Sequence, residues 1–377
     1  MPAWALVTGE YPPQPGGVSD YTRLVARGLA EAGDEVQVFA PACREPSPVD
    51  PGVSVTRLEG GFSLLGLRRL GAALEAPPRG KRILVQYVPH AFGWKAMNVP
   101  FCVWLNARRD PVWVMFHEVA FPRTEGQPAK LRLLASVTRT MAGLALKAAE
   151  RVFVSIPAWE PLLRSVGEPR GRVTWLPVPS TLPTSADPAR ARAHRSGLVP
   201  DGGALIGHFG TFGESIASLL REIVPTLLAD ERRAALLVGR GSEGFAAALG
   251  DAHPGLVKRV RATGALDAAA VVENLAACDL LVQPYPDGVS SRRTSVMAGL
   301  ALGLPVVANE GRLSEAVWRE SGAVALVAAP TSAEFAPEVS RLLGDRDARS
   351  ALGARAAAVY AERFAIARTI LALREQA

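Results

Sequence analysis

Cysteine is scarce in this chain. Its 377 residues hold three, Cys43, Cys102 and Cys278, far apart, with no CxxC pair and no metal-ligand spacing. That excludes a disulfide-stapled scaffold and a zinc module, and leaves three thiols read as buried in a reducing cytoplasm. Long apolar runs are missing too. The longest nearly uncharged stretch, Val296 to Ala308, falls short of a bilayer span and is interrupted by Pro305. The opening MPAWALVTGEYPP has an apolar run too short for a signal peptide, ended by Tyr11-Pro12-Pro13. The expectation is a soluble cytoplasmic protein, with the inner face of a membrane as an alternative setting. No GxGxxG fingerprint is present, which counts against a nicotinamide enzyme. No aromatic-interleaved basic tract, helix-turn-helix or zinc signature is present either, which counts against nucleic acid as a partner. No short-period repeat appears.

Hydrophobic residues make up 49% and charged residues 21%, so the chain can bury substantial cores. Its length suggests two domains of about 170 to 200 residues each. The formal charge of +6 suits an anionic substrate or an anionic membrane surface, although arginine in an alanine-rich chain also follows base composition.

Strand and helix patterns alternate. Trp4 to Thr8 reads as a strand, followed by a turn-rich loop ending in Gly16-Gly17, a helix capped by Ser19 or Asp20 and running to Ala32, and a strand from Glu35 to Ala40. Val53 to Leu58 reads as a strand and Leu64 to Leu74 as a helix with Arg68 and Arg69 on its polar side, either a solvated face or a membrane-resting one. Strands Arg82–Gln86 and Val112–Phe116 run into His90 and into His117-Glu118. Ligands of parallel α/β sheets sit beyond the C-terminal strand ends, so histidines at that edge are binding candidates, against the alternative of structural histidines. Helix Ala129–Ala149, strand Arg151–Ser155, helix Ala158–Ser165 and strand Val173–Leu176 complete a first domain. From Pro177 a Pro/Ser/Arg-rich linker with a short helix leads to a second alternation that begins at Ala204. Two doubly wound parallel-sheet domains in tandem predict a cleft between their C-terminal strand edges.

The densest signal is Leu280 to Asn309. A strand (Leu280–Gln283) runs into a Pro/Gly/Ser-rich loop with Arg292 and Arg293, then a small-residue helix and a strand (Pro305–Ala308). Unpaired amides and the positive end of a helix dipole face an anion there, and two guanidiniums can clamp a phosphate. The alternative is a basic surface loop ahead of an ordinary buried helix.

The order of elements and several local patterns resemble the GT-B glycosyltransferases, specifically the retaining family-4 enzymes (glycosyl transferases group 1). The patterns are Gly9-Glu10-Tyr11-Pro12-Pro13 through Gly16-Gly17-Val18, Phe116-His117-Glu118, Trp175-Leu176-Pro177-Val178-Pro179, Phe209-Gly210-Thr211-Phe212, Val238-Gly239, Thr263-Gly264-Ala265-Leu266, Ala277-Cys278-Asp279-Leu280, and Gly303 to Ala308. The resemblance implies an acceptor-binding domain over residues 1–180, a nucleotide-sugar donor domain over 181–360, and a closing helix (about 361–377) that returns to the first. It implies that the Gly16-Gly17 loop approaches donor phosphates and acceptor, that His117 sits by the transferred sugar, and that Gly264, Ala265 and Leu266 receive the nucleobase. Gly210, Thr211 and Gly239 would line the donor, and Ser290, Ser291, Thr294 and Ser295 with the arginines would hold the diphosphate, while Asp287, also on the donor side, is a candidate substitute for an acid that family members carry there. Glu118 would orient His117 or act on the acceptor, with Tyr11, His90 and Asn98 also on the acceptor side.

Two departures stand out. The Arg and Lys that family members carry after the first strand of the second domain are replaced around Thr211 and Glu214-Ser215-Ile216. The positions of the paired glutamates are occupied by Ser290 and Ala298. Arg292 and Arg293 can restore the first loss, since two guanidiniums neutralise a pyrophosphate comparably. The resemblance implies a metal-independent, retaining hexosyl transfer with no cofactor beyond the nucleotide-diphosphate sugar. The acceptor would be a glycan, lipid or small molecule of envelope, glycolipid or natural-product synthesis. Two other readings stay open: a non-catalytic nucleotide-sugar binding protein, and a sugar-nucleotide epimerase.

Overall fold

The computed structural model describes residues 2–76, 80–199 and 202–375. Pro200-Asp201 of the expected linker and the last two residues of the expected closing helix lie outside them. Two compact units emerge, one running to Pro177 and taking in the chain again from Ile366, the other spanning Val178–Ala365.

The first unit carries strands β1 (Ala3–Thr8), β2 (Glu35–Pro41), β3 (Val53–Leu58), β4 (Arg82–Tyr87), β5 (Val112–Phe116), β6 (Arg151–Val154) and β7 (Val173–Trp175). They pair in parallel in the order β3-β2-β1-β4-β5-β6-β7. Leu6, for example, lies between Val38 and Leu84. Strand order reverses between β1 and β4, the crevice where such sheets bind ligands. Strands covered on both faces need near-continuous apolar runs, and β5, VWVMF, is buried at every position.

Right-handed crossovers put helices Leu64–Glu75, Val99–Asn106, Ala129–Ala148 and Trp159–Arg164 in one layer, each packed on the next. Helix Gly17–Glu31 packs instead with the closing helix Ile366–Glu375, where Ile370 fills the space over Gly28. An aromatic cluster of Phe62, Phe92 and Phe101 sits under the first layer, the last two stacked at 4.2 Å. The N-cap of helix Gly17–Glu31 is Gly16, not Ser19 or Asp20. The reason is Glu10, whose Oε1 accepts the Ser19 N–H at 3.0 Å and so satisfies a first-turn amide from upstream.

The second unit carries β8 (Ala204–Phe209), β9 (Arg233–Val238), β10 (Val260–Ala262), β11 (Leu280–Gln283), β12 (Val306–Asn309) and β13 (Ala325–Val327), all parallel, in the order β10-β9-β8-β11-β12-β13. Its switch point lies between β8 and β11. Two apolar cores flank this sheet: Leu220, Leu237 and Phe245 belong to one, Ile223, Val307 and Phe335 to the other. The expected linker folds into this unit, with helix Pro188–Arg195 capped by Asp187 and packed on helix Ala268–Ala276.

Candidate functional site

The loop after β11 brings two arginines to the start of a helix. Gly288 turns the loop at φ +85°, and a side chain there would run into the Gly311 backbone, so glycine is required on both counts. The chain then meets helix Thr294–Ala301, whose N-cap residue is Arg293 with no side-chain cap. Neither Thr294 nor Ser295 finds a backbone N–H acceptor among the described residues, which leaves the positive end of the dipole unsatisfied. Arg293 stacks its guanidinium over the Tyr285 ring at 4.6 Å, and the Tyr285 hydroxyl lies 2.7 Å from Ser295 Oγ and 3.3 Å from Gln283 Oε1. Arg292 is three-quarters buried and lies 3.9 Å from Asp287, which also binds Arg312 at 2.7 Å. Asp287 therefore steadies the arginines instead of facing a donor alone. Ser290 is buried with its hydroxyl lacking a partner.

Ser291 reveals a residue that sequence reasoning missed. Its N–H and its hydroxyl donate to Glu315 at 2.9 and 2.5 Å, and Trp318 Nε1 donates to the same carboxylate at 2.6 Å. The Ser291 carbonyl accepts from Val178 N–H. Burial pushes the Glu315 carboxyl above its usual range, while these donors pull it down. The carboxylate is a buckle across 24 residues that fixes the loop before the arginines.

Across the switch point, the turns after β8 and β9 come close together. Gly239 has φ +121°, and a side chain on it would overlap the Gly210 carbonyl. This is a backbone-only surface beside the arginine loop. His208, buried under it, donates Nδ1–H to the Val282 carbonyl at 2.9 Å; its Nε2 has no partner, and burial lowers its pKa to about 4. Thr211 lies at the mouth of the same turn. Gly264, at φ +66°, gives its N–H to Ser242 Oγ at 3.0 Å, so its amide is not open to a base; the exposed Ala265 and Leu266 that follow are.

In the first unit the Gly16-Gly17 turn holds an anion from its own chain. A side chain on Gly16 would overlap the Glu10 carboxylate, which caps the helix start. Gly17 has open space around it. Tyr11 is fully buried, with Arg57 5.7 Å from its ring, and burial lifts its hydroxyl to a pKa of about 12. It is a core residue, not an exposed acceptor contact.

His117 follows β5 and is buried, with Nε2 2.8 Å from Gln86 Oε1 and its ring edge-to-face with Tyr21. Burial drives its pKa down to about 3. It is therefore neutral at working pH: Nε2–H donates to Gln86, which leaves Nδ1 as a hydrogen-bond acceptor rather than a charge. His90 and Glu118, both well exposed, face each other at 3.9 Å beyond β4 and β5. Asn98 is withdrawn from the acceptor side altogether. It caps helix Val99–Asn106, its Oδ1 accepting from Phe101 N–H and its Nδ2 donating to Phe62 and Phe92 carbonyls, so its hydrogen-bonding groups are spent inside the protein.

Two family models match the chain: a glycosyl transferase 4-like domain over residues 16–179 and glycosyl transferases group 1 over residues 203–345. No curated protein matches it by sequence. Among solved structures it is similar to sucrose-phosphate synthase from Thermosynechococcus elongatus, at 19% identity and a TM-score of 0.77, covering 100% of this chain and 98% of that one. Anabaena Alr3699/HepE in complex with UDP and glucose matches at 18% identity and a TM-score of 0.69, covering 100% and 99%. WaaG, a glycosyltransferase of lipopolysaccharide biosynthesis, matches at 15% and 0.69, covering 99% and 98%. The shared fold is GT-B.

Proposed function

The chain belongs to the group 1 glycosyl transferases, and from that premise we propose that it moves a hexosyl group from a nucleotide-diphosphate sugar to an acceptor hydroxyl with retention at the anomeric carbon. The observation that carries this reading is the open start of helix Thr294–Ala301 with Arg292 and Arg293 beside it, at the switch point of the second sheet. A departing diphosphate develops charge there, and preorganised amides and guanidiniums meet it without a metal. The side-chain-free turns at Gly210 and Gly239 let the donor approach the backbone closely. The only cofactor invoked is the co-substrate itself.

On the acceptor side, a histidine kept neutral by burial neither donates nor collects a proton at pH 7. The acceptor proton is then taken by the leaving phosphate on the face where the bond breaks, which is the geometry of retention. His117 contributes orientation through a hydrogen bond to the transferred sugar, with Gln86 fixing its ring. His90 and Glu118 are exposed at the same strand edge and suit contacts with acceptor hydroxyls. Glycans, glycolipids and small natural products all present such hydroxyls.

Because similar structures carry UDP or UDP-glucose, uridine diphosphate sugars head the panel of UDP, GDP, ADP and TDP sugars to test by thermal shift. Donor at about a hundred times its Kd adds about 2.7 kcal/mol to the folded state. The stabilising donor is then incubated without acceptor, and the anomer first released to water is read by NMR. Retained configuration supports the proposal; inversion, or no stabilisation by any sugar nucleotide, refutes it. The second reading, a nucleotide-sugar binding protein without catalysis, is favoured by Ser290 and Ala298 where the family carries glutamates. Binding with no hydrolysis and no transfer would select it.

A further inference from the structure

The apolar surface of the first unit is concentrated where its helix layer begins. Leu64 and Leu65, in the first turn of helix Leu64–Glu75, are 67% and 57% exposed. Beside them, Trp94 is half exposed and Lys95 exposed. The two loops are tied together by one side chain: Asn98 Nδ2 donates both to the Phe62 carbonyl, two residues before Leu64, and to the Phe92 carbonyl, two residues before Trp94. Between helices Leu64–Glu75 and Val99–Asn106 runs a groove of about 820 Å³, walled by Leu64, Leu67, Val99, Val103 and Trp104, with Arg68 on its rim. Along the same layer, helix Ala129–Ala148 begins with exposed Lys130, Leu131, Arg132 and Leu133.

The Trp94 turn is conformationally expensive. Trp94, Lys95 and Ala96 have φ of +51°, +53° and +68°, three consecutive non-glycine residues in the left-handed region. Of the three, Ala96 is buried, while Trp94 and Lys95 are exposed. What the strain achieves is to hold a tryptophan and a lysine side by side at the surface, next to two exposed leucines. Leucines to insert, a tryptophan for the headgroup level and basic residues reaching outward are the composition of an interfacial membrane contact. The basic residues Arg68, Arg69, Lys95, Lys130 and Arg132 outnumber Glu59, which pairs with Arg69, and Glu75 at the far end of its helix. That excess argues against a second copy as the occupant, since a two-fold contact would set the same positive rim against itself.

We propose that this surface seats on an anionic lipid bilayer, with an acyl chain entering the groove between the two helices. Lys95, Arg68 and Arg132 meet the headgroups, and Leu64, Leu65 and Trp94 enter the acyl boundary. The inference goes beyond the proposed transfer reaction and does not depend on it.

The test is co-sedimentation of the full chain with vesicles of phosphatidylglycerol and phosphatidylcholine mixed, or of phosphatidylcholine alone. Two surface variants are compared with the parent: Leu64→Gln with Leu65→Gln, and Arg68→Glu with Lys95→Glu. The parent should bind the mixed vesicles and not the zwitterionic ones, and each variant should lose at least about tenfold in partition. Absence of binding by the parent, equal binding to both vesicles, or unchanged binding by both variants overturns the proposal. Near-UV circular dichroism and stabilisation by a sugar nucleotide in solution, measured on each variant, should match the parent. These readouts fail separately: a protein that binds vesicles but no sugar nucleotide refutes the transfer reading and leaves this one standing.

Discussion

Each unit keeps one histidine buried and neutral at a strand end facing its switch point, and this has a measurable consequence in acid. His117 and His208 have folded pKa values pushed by burial to about 3 and about 4, against about 6.5 in an unfolded chain. The unfolded state therefore binds more protons below pH 6.5, so stability is complete above that value and falls as pH drops toward the folded values. Between pH 7 and pH 5 each histidine should cost about 2 kcal/mol, from about 1.4 kcal/mol per unit over one and a half units. Urea unfolding at the two pH values measures the loss, and His117→Asn or His208→Asn should each abolish about 2 kcal/mol of the pH-dependent difference. Subtracting variant from parent cancels the carboxyl contributions, including those of Asp20 and Glu315, whose raised values act in the opposite sense. If parent and variants lose the same stability on acidification, the histidines are charged in the fold and the argument fails. The same neutrality predicts that kcat/KM shows no limb near pH 6.5 attributable to His117.

Arg292→Ala and Arg293→Ala should each lower kcat/KM for the donor by about a hundredfold to a thousandfold, the 2.7 to 4 kcal/mol typical of a lost contact to developing charge. Unchanged kinetics in both would remove the arginines from the site. Glu315→Ala strands the Ser291 and Trp318 donors and should cost about 1 to 3 kcal/mol in stability while raising donor KM; a stability loss with unaltered KM would show that the buckle does not position the loop. Gly239→Ala forces a methyl onto the Gly210 carbonyl and a side chain into a positive φ, and should lower stability by about 1 to 3 kcal/mol as read by thermal melts.

The strands were legible because they are short β-branched or apolar runs bounded by glycine and proline, and the alternation with helices fixes a parallel sheet. The arginine loop was legible because strand, Gly-Ser-Arg loop and helix follow one another locally. Three helices were not. Val99–Asn106, VPFCVWLN, is apolar nearly all round and carries no 3.6-residue pattern, Ser242–Ala252 is broken by Gly244 and Gly250, and Ala316–Ser321 is too short to show a period. Glu315 could not be found from its neighbours, since its partners are Ser291 upstream and Trp318 downstream and only the fold joins them. Asn98 and Glu10 show the converse error. Their polarity suggested ligand contact or nothing at all, while both serve as caps whose bonds are made within the chain.

How the two arginines are held bears on whether they can act. Neither projects loosely into solvent: Arg293 lies on the Tyr285 ring and Arg292 beside Asp287, which is itself shared with Arg312. A stacked guanidinium keeps its outer N–H groups available, and Arg292 meets Asp287 only at 3.9 Å, beyond hydrogen-bond distance, so that contact does not compete with a bidentate phosphate contact of higher charge. The loop underneath is fixed by the buried Glu315 buckle, so the arginines do not have to be ordered when a ligand arrives. Ordering long side chains is a main cost of binding. A loop that has met this cost in its own folding can spend its contacts on the charge that grows as a diphosphate departs, which is where they accelerate a reaction.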